Sequence, residues 1–180
     1  MNIDQGWLSQ VDKLESPNAD LRPDLNDISL LVIHNISLPP EQFGGPYIAQ
    51  LFSNNLKPEE HPYFREIYQL KVSSHLLIDR EGKITQFVSL DKRAWHAGVS
   101  QFEQRSQCND FSIGIELEGA DHIAYTDIQY TVLAHVTKVI INQYPMITRD
   151  RITGHSDIAP DRKTDPGPAF DWQRYENLLK

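Results

Sequence analysis

The stretch GHSDIAPDRKTDPGP, Gly154 to Pro168, sets His155, Lys163 and Asp165 among Pro160, Pro166 and Pro168. Proline fixes φ, so Lys163 and Asp165, held between Pro160 and Pro166, have the restricted side-chain directions that a ligand or an electrostatic catalyst needs. Prolines, glycines and aspartates are also ordinary turn formers, and a plain surface loop accounts for the composition equally well. What raises the segment above a loop is its combination with His34. His34 ends the apolar run SLLVIHN and His155 ends RITGH. Two imidazoles and one carboxylate are the protein ligands of a catalytic zinc site, with a fourth position left for water.

Other residues carry weaker signals. In FSIGIELEG, strict alternation puts Phe111, Ile113, Ile115 and Leu117 on one face and Ser112, Gly114, Glu116 and Glu118 on the other. Glu116 and Glu118 are then equivalent, each either solvated or placed for proton transfer. In WHAG, Trp95 is either a core residue or a platform for a sugar or peptide, and His96 reads as structural.

These side chains need a scaffold. Residues 29–35 suit a strand buried on both faces. Pro46 suits the first position of a short helix in which Ile48, Leu51 and Phe52 share a face. Residues 54–71 read as a long irregular segment, placed to form a wall over a site. VSSHLLIDREGKITQFVSL reads as a hairpin turning at Gly82. Thr126 and Gln129 make a capping box for a helix carrying Ile128, Val132, Leu133, Val136, Val139, Ile140 and Tyr144 at helical spacing. A short strand at RITGH and a terminal helix capped by Asp171 complete the chain. Strands and helices interleave without regular βαβ repetition, which predicts an α/β (α+β) fold with a mixed central sheet flanked by helices.

Composition sets outer bounds. The 180 residues, with no repeat or linker dividing them, predict one domain over 1–180. A formal net charge of −8 argues against a nucleic-acid partner. No apolar run is long enough to span a membrane, the N-terminus has no export-signal pattern, and the single Cys108 fits a reducing compartment. The expected location is cytoplasmic.

Taken in order, VIHNISLPP, KRAWHAGVS, CNDFSIGIELEG and GHSDIAPDRKTDPGPAFDW resemble the cytoplasmic N-acetylmuramoyl-L-alanine amidases of the AmpD type, from about Gly6 to Tyr175. The resemblance implies a fold shared with peptidoglycan-recognition proteins. It makes His34, His155 and Asp165 ligands of zinc (Zn2+) and makes Glu116 and Lys163 the catalytic pair. The implied reaction is hydrolysis of the amide joining 1,6-anhydro-N-acetylmuramic acid to L-alanine of the stem peptide in cell-wall recycling, by a monomer acting on a small muropeptide. Glu116 would move the proton and Lys163 would steady the oxyanion.

The resemblance also places Asn35 and Ala94 along the substrate path and Trp95 under the muramic ring. Lys71 stands where the family has an arginine against the peptide carboxylate, keeping charge but losing bidentate geometry. Gln107 replaces a second arginine. Arg93, Arg105 and Arg162 are further cations available to a peptide carboxylate. Two rival readings follow from the same residues: a cysteine peptidase built on Cys108, and a recognition module that binds wall fragments without cleaving them. The cysteine reading is disfavoured by the acidic and amide neighbours Asn109 and Asp110, the module by the complete zinc set.

Overall fold

A computed structural model describes residues 1–180. In chain order its strands are β1 (Ile3–Asp4), β2 (Trp7–Leu8), β3 (Asp12–Lys13), β4 (Ala19–Leu21), β5 (Leu30–Ile36), β6 (Leu76–Ile78), β7 (Ile84–Gln86), β8 (Lys92–Ala94), β9 (Gln101–Phe102), β10 (Arg105–Ser106), β11 (Ser112–Glu118) and β12 (Ile152–Gly154). The helices are α1 (Tyr47–Phe52), α2 (Phe64–Ile67), α3 (Asp127–Gln143), α4 (His155–Ile158) and α5 (Trp172–Leu179).

Six strands form a mixed sheet in the order β12-β5-β11-β6-β7-β3. The first four run parallel, and β7 turns back against β6 inside the hairpin expected over residues 72–90. Gly82 sits at that turn with φ +81°, a left-handed value that favours glycine. The edge strand β3 and the short ribbons β1–β2, β4–β8 and β9–β10 complete the strand set.

Both faces of the sheet are covered, which is why β5 reads as a nearly continuous apolar run. Leu31, Ile33, Ile113, Ile115 and Leu117 point into the large core under α3 and α5 with Leu133, Val136, Ile140 and Tyr175. Leu30 and Val32 point the other way, into a small cluster with Ala97, Cys108, Phe111 and Ile158. A third cluster gathers α1 and α2 around Phe52, Phe64 and Phe87. Full burial of β11 overturns the solvent-facing alternative for its polar face: Glu116 is 8% and Glu118 4% exposed.

Helix details depart slightly from the pattern. Pro46 stands at the N-cap of α1 rather than inside it. The buried face of α3 runs through Gln129, Tyr130, Leu133, Val136, Thr137 and Ile140, leaving Ile128 44% exposed. The capping box explains the rotation: Gln129 Nε2 also donates to the carbonyls of Glu118 (2.9 Å) and Ile78 (3.4 Å), which draws that side of the first turn onto the sheet.

Candidate active site

The parallel ladder sets the site. Pairing of β11 with β5 puts Glu116 beside His34, and pairing of β12 with β5 puts Gly154 beside Ile33, so His155 emerges one residue further on at the same end of the sheet. His34 follows Leu30 and Val32 by alternation, and Glu116 follows Ser112 and Gly114, so both side chains leave the face opposite α3. Asp165 is brought back by the turn after α4, where Ser156 N donates to the Asp165 carbonyl at 2.9 Å. Asp157 ties the start of that turn, its Oδ2 accepting from Thr153 Oγ1 (2.7 Å) and Gly154 N (2.9 Å).

His34 Nδ1 lies 2.9 Å from His155 Nδ1 and 3.1 Å from Asp165 Oδ2, and His155 Nδ1 lies 3.0 Å from the same oxygen. One donor atom from each residue thus converges on a single point. The ring of His155 is oriented from behind, with Nε2 3.2 Å from the Ala97 carbonyl. A carbonyl only accepts, so Nε2 carries the proton and Nδ1 presents its lone pair.

Burial pushes His34 down to about 4, which keeps it neutral at physiological pH. Burial pushes the Asp165 carboxyl up, but the adjoining His155 and His34 side chains outweigh it and hold the group below the usual carboxylate range. A neutral His34 beside an ionised Asp165 is the protonation state a cation requires of its ligands. Two imidazole nitrogens and a carboxylate oxygen fit zinc by donor type and number.

Glu116 and Glu118, equivalent in the sequence, are separated by their surroundings. The Glu118 carboxylate accepts from Gly44 N (2.6 Å) and Arg80 N (3.2 Å) and so clamps two loops. Glu116 Oε2 is buried with no hydrogen-bond partner. Burial raises the Glu116 carboxyl well above the ordinary value, Asp165 raises it further, and Lys163 opposes both. An unpartnered, destabilised carboxylate at the floor of a cleft is suited to taking a proton.

The cleft has a volume of about 360 Å³. Its polar end holds Glu116, His155, Lys163 and Asp165, and its other end is walled by Leu51, Phe52, Tyr63 and Ile67. The long 54–71 segment therefore does form a wall, through α2. Trp95 and Asn35 both line the cleft. Trp95 is fixed by a two-way contact with Ser73, whose Oγ accepts from Trp95 N at 3.0 Å and whose N–H donates to the Trp95 carbonyl at 3.2 Å. Asn35 Nδ2 donates to Asp121 Oδ1 (2.9 Å) and the Pro166 carbonyl (3.1 Å), bracing the turn that carries Asp165.

Other expected substrate contacts lie elsewhere. Ala94 is fully buried in the α1–α2 cluster and is absent from the cleft wall. Arg162 Nη2 donates to the carbonyls of Ala97 and Val99, both at 2.7 Å, so its charge braces backbone. Lys71 is exposed beside the lining residues Leu70 and Val72 without itself joining the wall. Arg93 is paired with Asp20 and Asp110, and Arg105 with Asp27, and neither lines the cleft. Cys108 is fully buried, with its thiol pushed up by burial, which rules against a nucleophilic role.

Two polar groups were missed by sequence reasoning. His96, expected to be structural, lines the cleft with Nδ1 2.9 Å from His34 Nε2. Arg22, 5% exposed, threads beneath the site to bond the carbonyls of Leu90, Asn109, Asp110 and Ser112. The WHAG motif was a signal for the first; the second had none.

Residues 24–168 match the family model described as N-acetylmuramoyl-L-alanine amidase. The chain belongs to that family. Over 179 residues it is 59% identical to the 1,6-anhydro-N-acetylmuramyl-L-alanine amidase AmpD of Escherichia coli K12, covering 99% of this chain and 97% of that one. A crystal structure of a selenomethionine AmpD derivative superposes with a TM-score of 0.97 at 57% identity, covering 100% of both chains. The amidase AmiD of E. coli, in complex with the substrate anhydro-N-acetylmuramic acid-L-Ala-D-γ-Glu-L-Lys, superposes with a TM-score of 0.61 at 27% identity over 98% of this chain and 62% of that one. The fold is thus that of AmpD, and the enzyme is an amidase. No helix is long and apolar enough to cross a membrane.

Proposed function

We propose that this amidase is zinc-dependent and hydrolyses the bond between the lactyl carbonyl of 1,6-anhydro-N-acetylmuramic acid and the amine of L-alanine, as a monomer in cytoplasmic peptidoglycan recycling. The observation that carries the reading is the unpartnered Glu116 Oε2, buried in the cleft beside the converging His34, His155 and Asp165. Zinc held by those three residues would supply Lewis acidity and a water ionised near neutral pH.

The chain's own groups do the rest. Glu116 receives the attacking water's proton at Oε2 and returns it to the alanine nitrogen as the C–N bond breaks. Lys163, exposed at the mouth of the cleft, offsets the charge that gathers on the carbonyl oxygen. Trp95 offers a flat face to the sugar, and the apolar wall of Tyr63 and Ile67 excludes water from the reacting bond. Substrate identity rests on the names of the AmpD relatives and on the muropeptide complex of AmiD.

The test pairs zinc quantitation with mass-spectrometric analysis of products from anhydro-muramyl tripeptide. Stoichiometric zinc, free tripeptide and anhydro-muramic acid are expected. Cleavage within the peptide, or full turnover after chelation, would overturn the reading.

A further inference from the structure

His34 is the ligand whose orientation needs explaining. His155 is oriented by a carbonyl, which admits one tautomer only, whereas His34 Nε2 faces another imidazole, His96 Nδ1, at 2.9 Å, with the rings nearly perpendicular at 87°. His96 is in turn fixed on three sides. Its Nε2 lies 3.1 Å from Ser112 Oγ, and its backbone N donates to Asn109 Oδ1 at 3.1 Å. Its ring packs flat on Gly114, where an added Cβ would stand 2.5 Å from Nδ1 and 2.6 Å from Cγ.

We propose that His96 is a positioning residue that selects the metal-binding tautomer and ring angle of His34. If Nδ1 of His34 presents its lone pair to a cation, its Nε2 must carry the proton and donate it to His96 Nδ1. His96 must then be protonated at Nε2 and donate to Ser112 Oγ. The bond directions follow from one constraint at each nitrogen. Gly114 is the position on β11 that leaves room for this ring, so the glycine in IGIE serves the metal site one strand away. This inference rests on the zinc reading above.

The test uses the full chain with three measurements: zinc affinity by chelator competition, the absorption spectrum of the cobalt(II)-substituted protein, and imidazole 15N shifts. His96→Leu fills most of the ring's volume but offers no acceptor. His96→Asn is smaller, yet its Oδ1 stands near the position of Nδ1. An acceptor role predicts that His96→Leu weakens zinc binding about 10- to 100-fold and alters the cobalt spectrum, while His96→Asn recovers most of both. A packing role predicts the reverse order, because Asn leaves the larger void, and that order would overturn the proposal. Wild-type affinity in His96→Leu would overturn it as well.

Failure of the wild-type chain to bind zinc at all would instead remove the metal reading, and this inference with it. Should His96→Leu fail to fold, the zinc-loaded wild type carries the test. Protonated His34 Nε2 and unprotonated His96 Nδ1 are expected, and a proton on His96 Nδ1 would refute the assignment.

Discussion

Replacement of Arg22 by methionine isolates the buried polar joint beneath the site. The guanidinium donates to the Leu90 carbonyl from Nε (3.3 Å) and Nη2 (3.1 Å), to Asn109 and Asp110 from Nη1 (both 3.2 Å), and to Ser112 from Nη2 (2.7 Å). Nη2 also lies 3.1 Å from His75 Nε2. Each carbonyl left without a partner costs about 1–3 kcal/mol, but the variant no longer desolvates a cation, a burden visible in the lowering of the Arg22 pKa to about 10 by burial. Four carbonyls lose a donor while the desolvation of a cation is relieved, a net cost on the order of 3–5 kcal/mol. At about 2–4 °C per kcal/mol for a chain of this size, the melting temperature of the protein falls by roughly 6–20 °C, read by circular dichroism. Arg22→Lys recovers only a minor part, since an ammonium cannot reach carbonyls on three segments at once. A decrease under about 3 °C in Arg22→Met would refute the accounting.

Lys163→Ala is expected to lower kcat about 100- to 1000-fold with little change in melting temperature, and turnover within tenfold of wild type would remove Lys163 from the oxyanion. Glu116→Gln abolishes most activity yet stabilises the chelated protein at pH 8 relative to pH 4. The unfolded chain ionises near the ordinary glutamate value of about 4.3 and the folded one well above it, so folding is increasingly opposed as pH rises through that window. Equal stability differences at both pH values, measured by thermal unfolding, would contradict the raised carboxyl. Cys108→Ala retains steady-state amidase activity, since the thiol is buried outside the cleft; a hundredfold loss without unfolding would reopen the cysteine mechanism.

The elements with local periodicity were legible. The β5 and β11 runs, the β6–β7 hairpin, the capped α3 and the Asp171-capped α5 stand where spacing and turn chemistry put them, except that Phe111, one residue before β11 begins, packs with Leu30 and Val32 on the face opposite Ile113. Alternation sent Glu116 to the correct face but could not tell it from Glu118, because the difference lies in Gly44 and Arg80, remote in sequence. His96 meets His34 across 62 residues and Arg22 meets Ser112 across 90, separations at which no local pattern records a partner. Cations were the least legible. Arg93, Arg105 and Arg162 each found a structural acceptor that a charge count could not reveal. The first strands, β1 to β4, are too short to leave any period at all.

His34 and Asp165 meet across 131 residues of chain. During synthesis at about 5–20 residues per second, His34 leaves the ribosome many seconds before its carboxylate partner exists. β12, which leads into His155, is the edge strand of the sheet and pairs only with β5. A growing chain therefore lacks the His34–His155–Asp165 group until the turn behind β12 has been made. Mutations in the final third of the chain, such as those loosening the Tyr175–Thr137 contact between α5 and α3, are then able to silence the enzyme through assembly while leaving every reacting group in place.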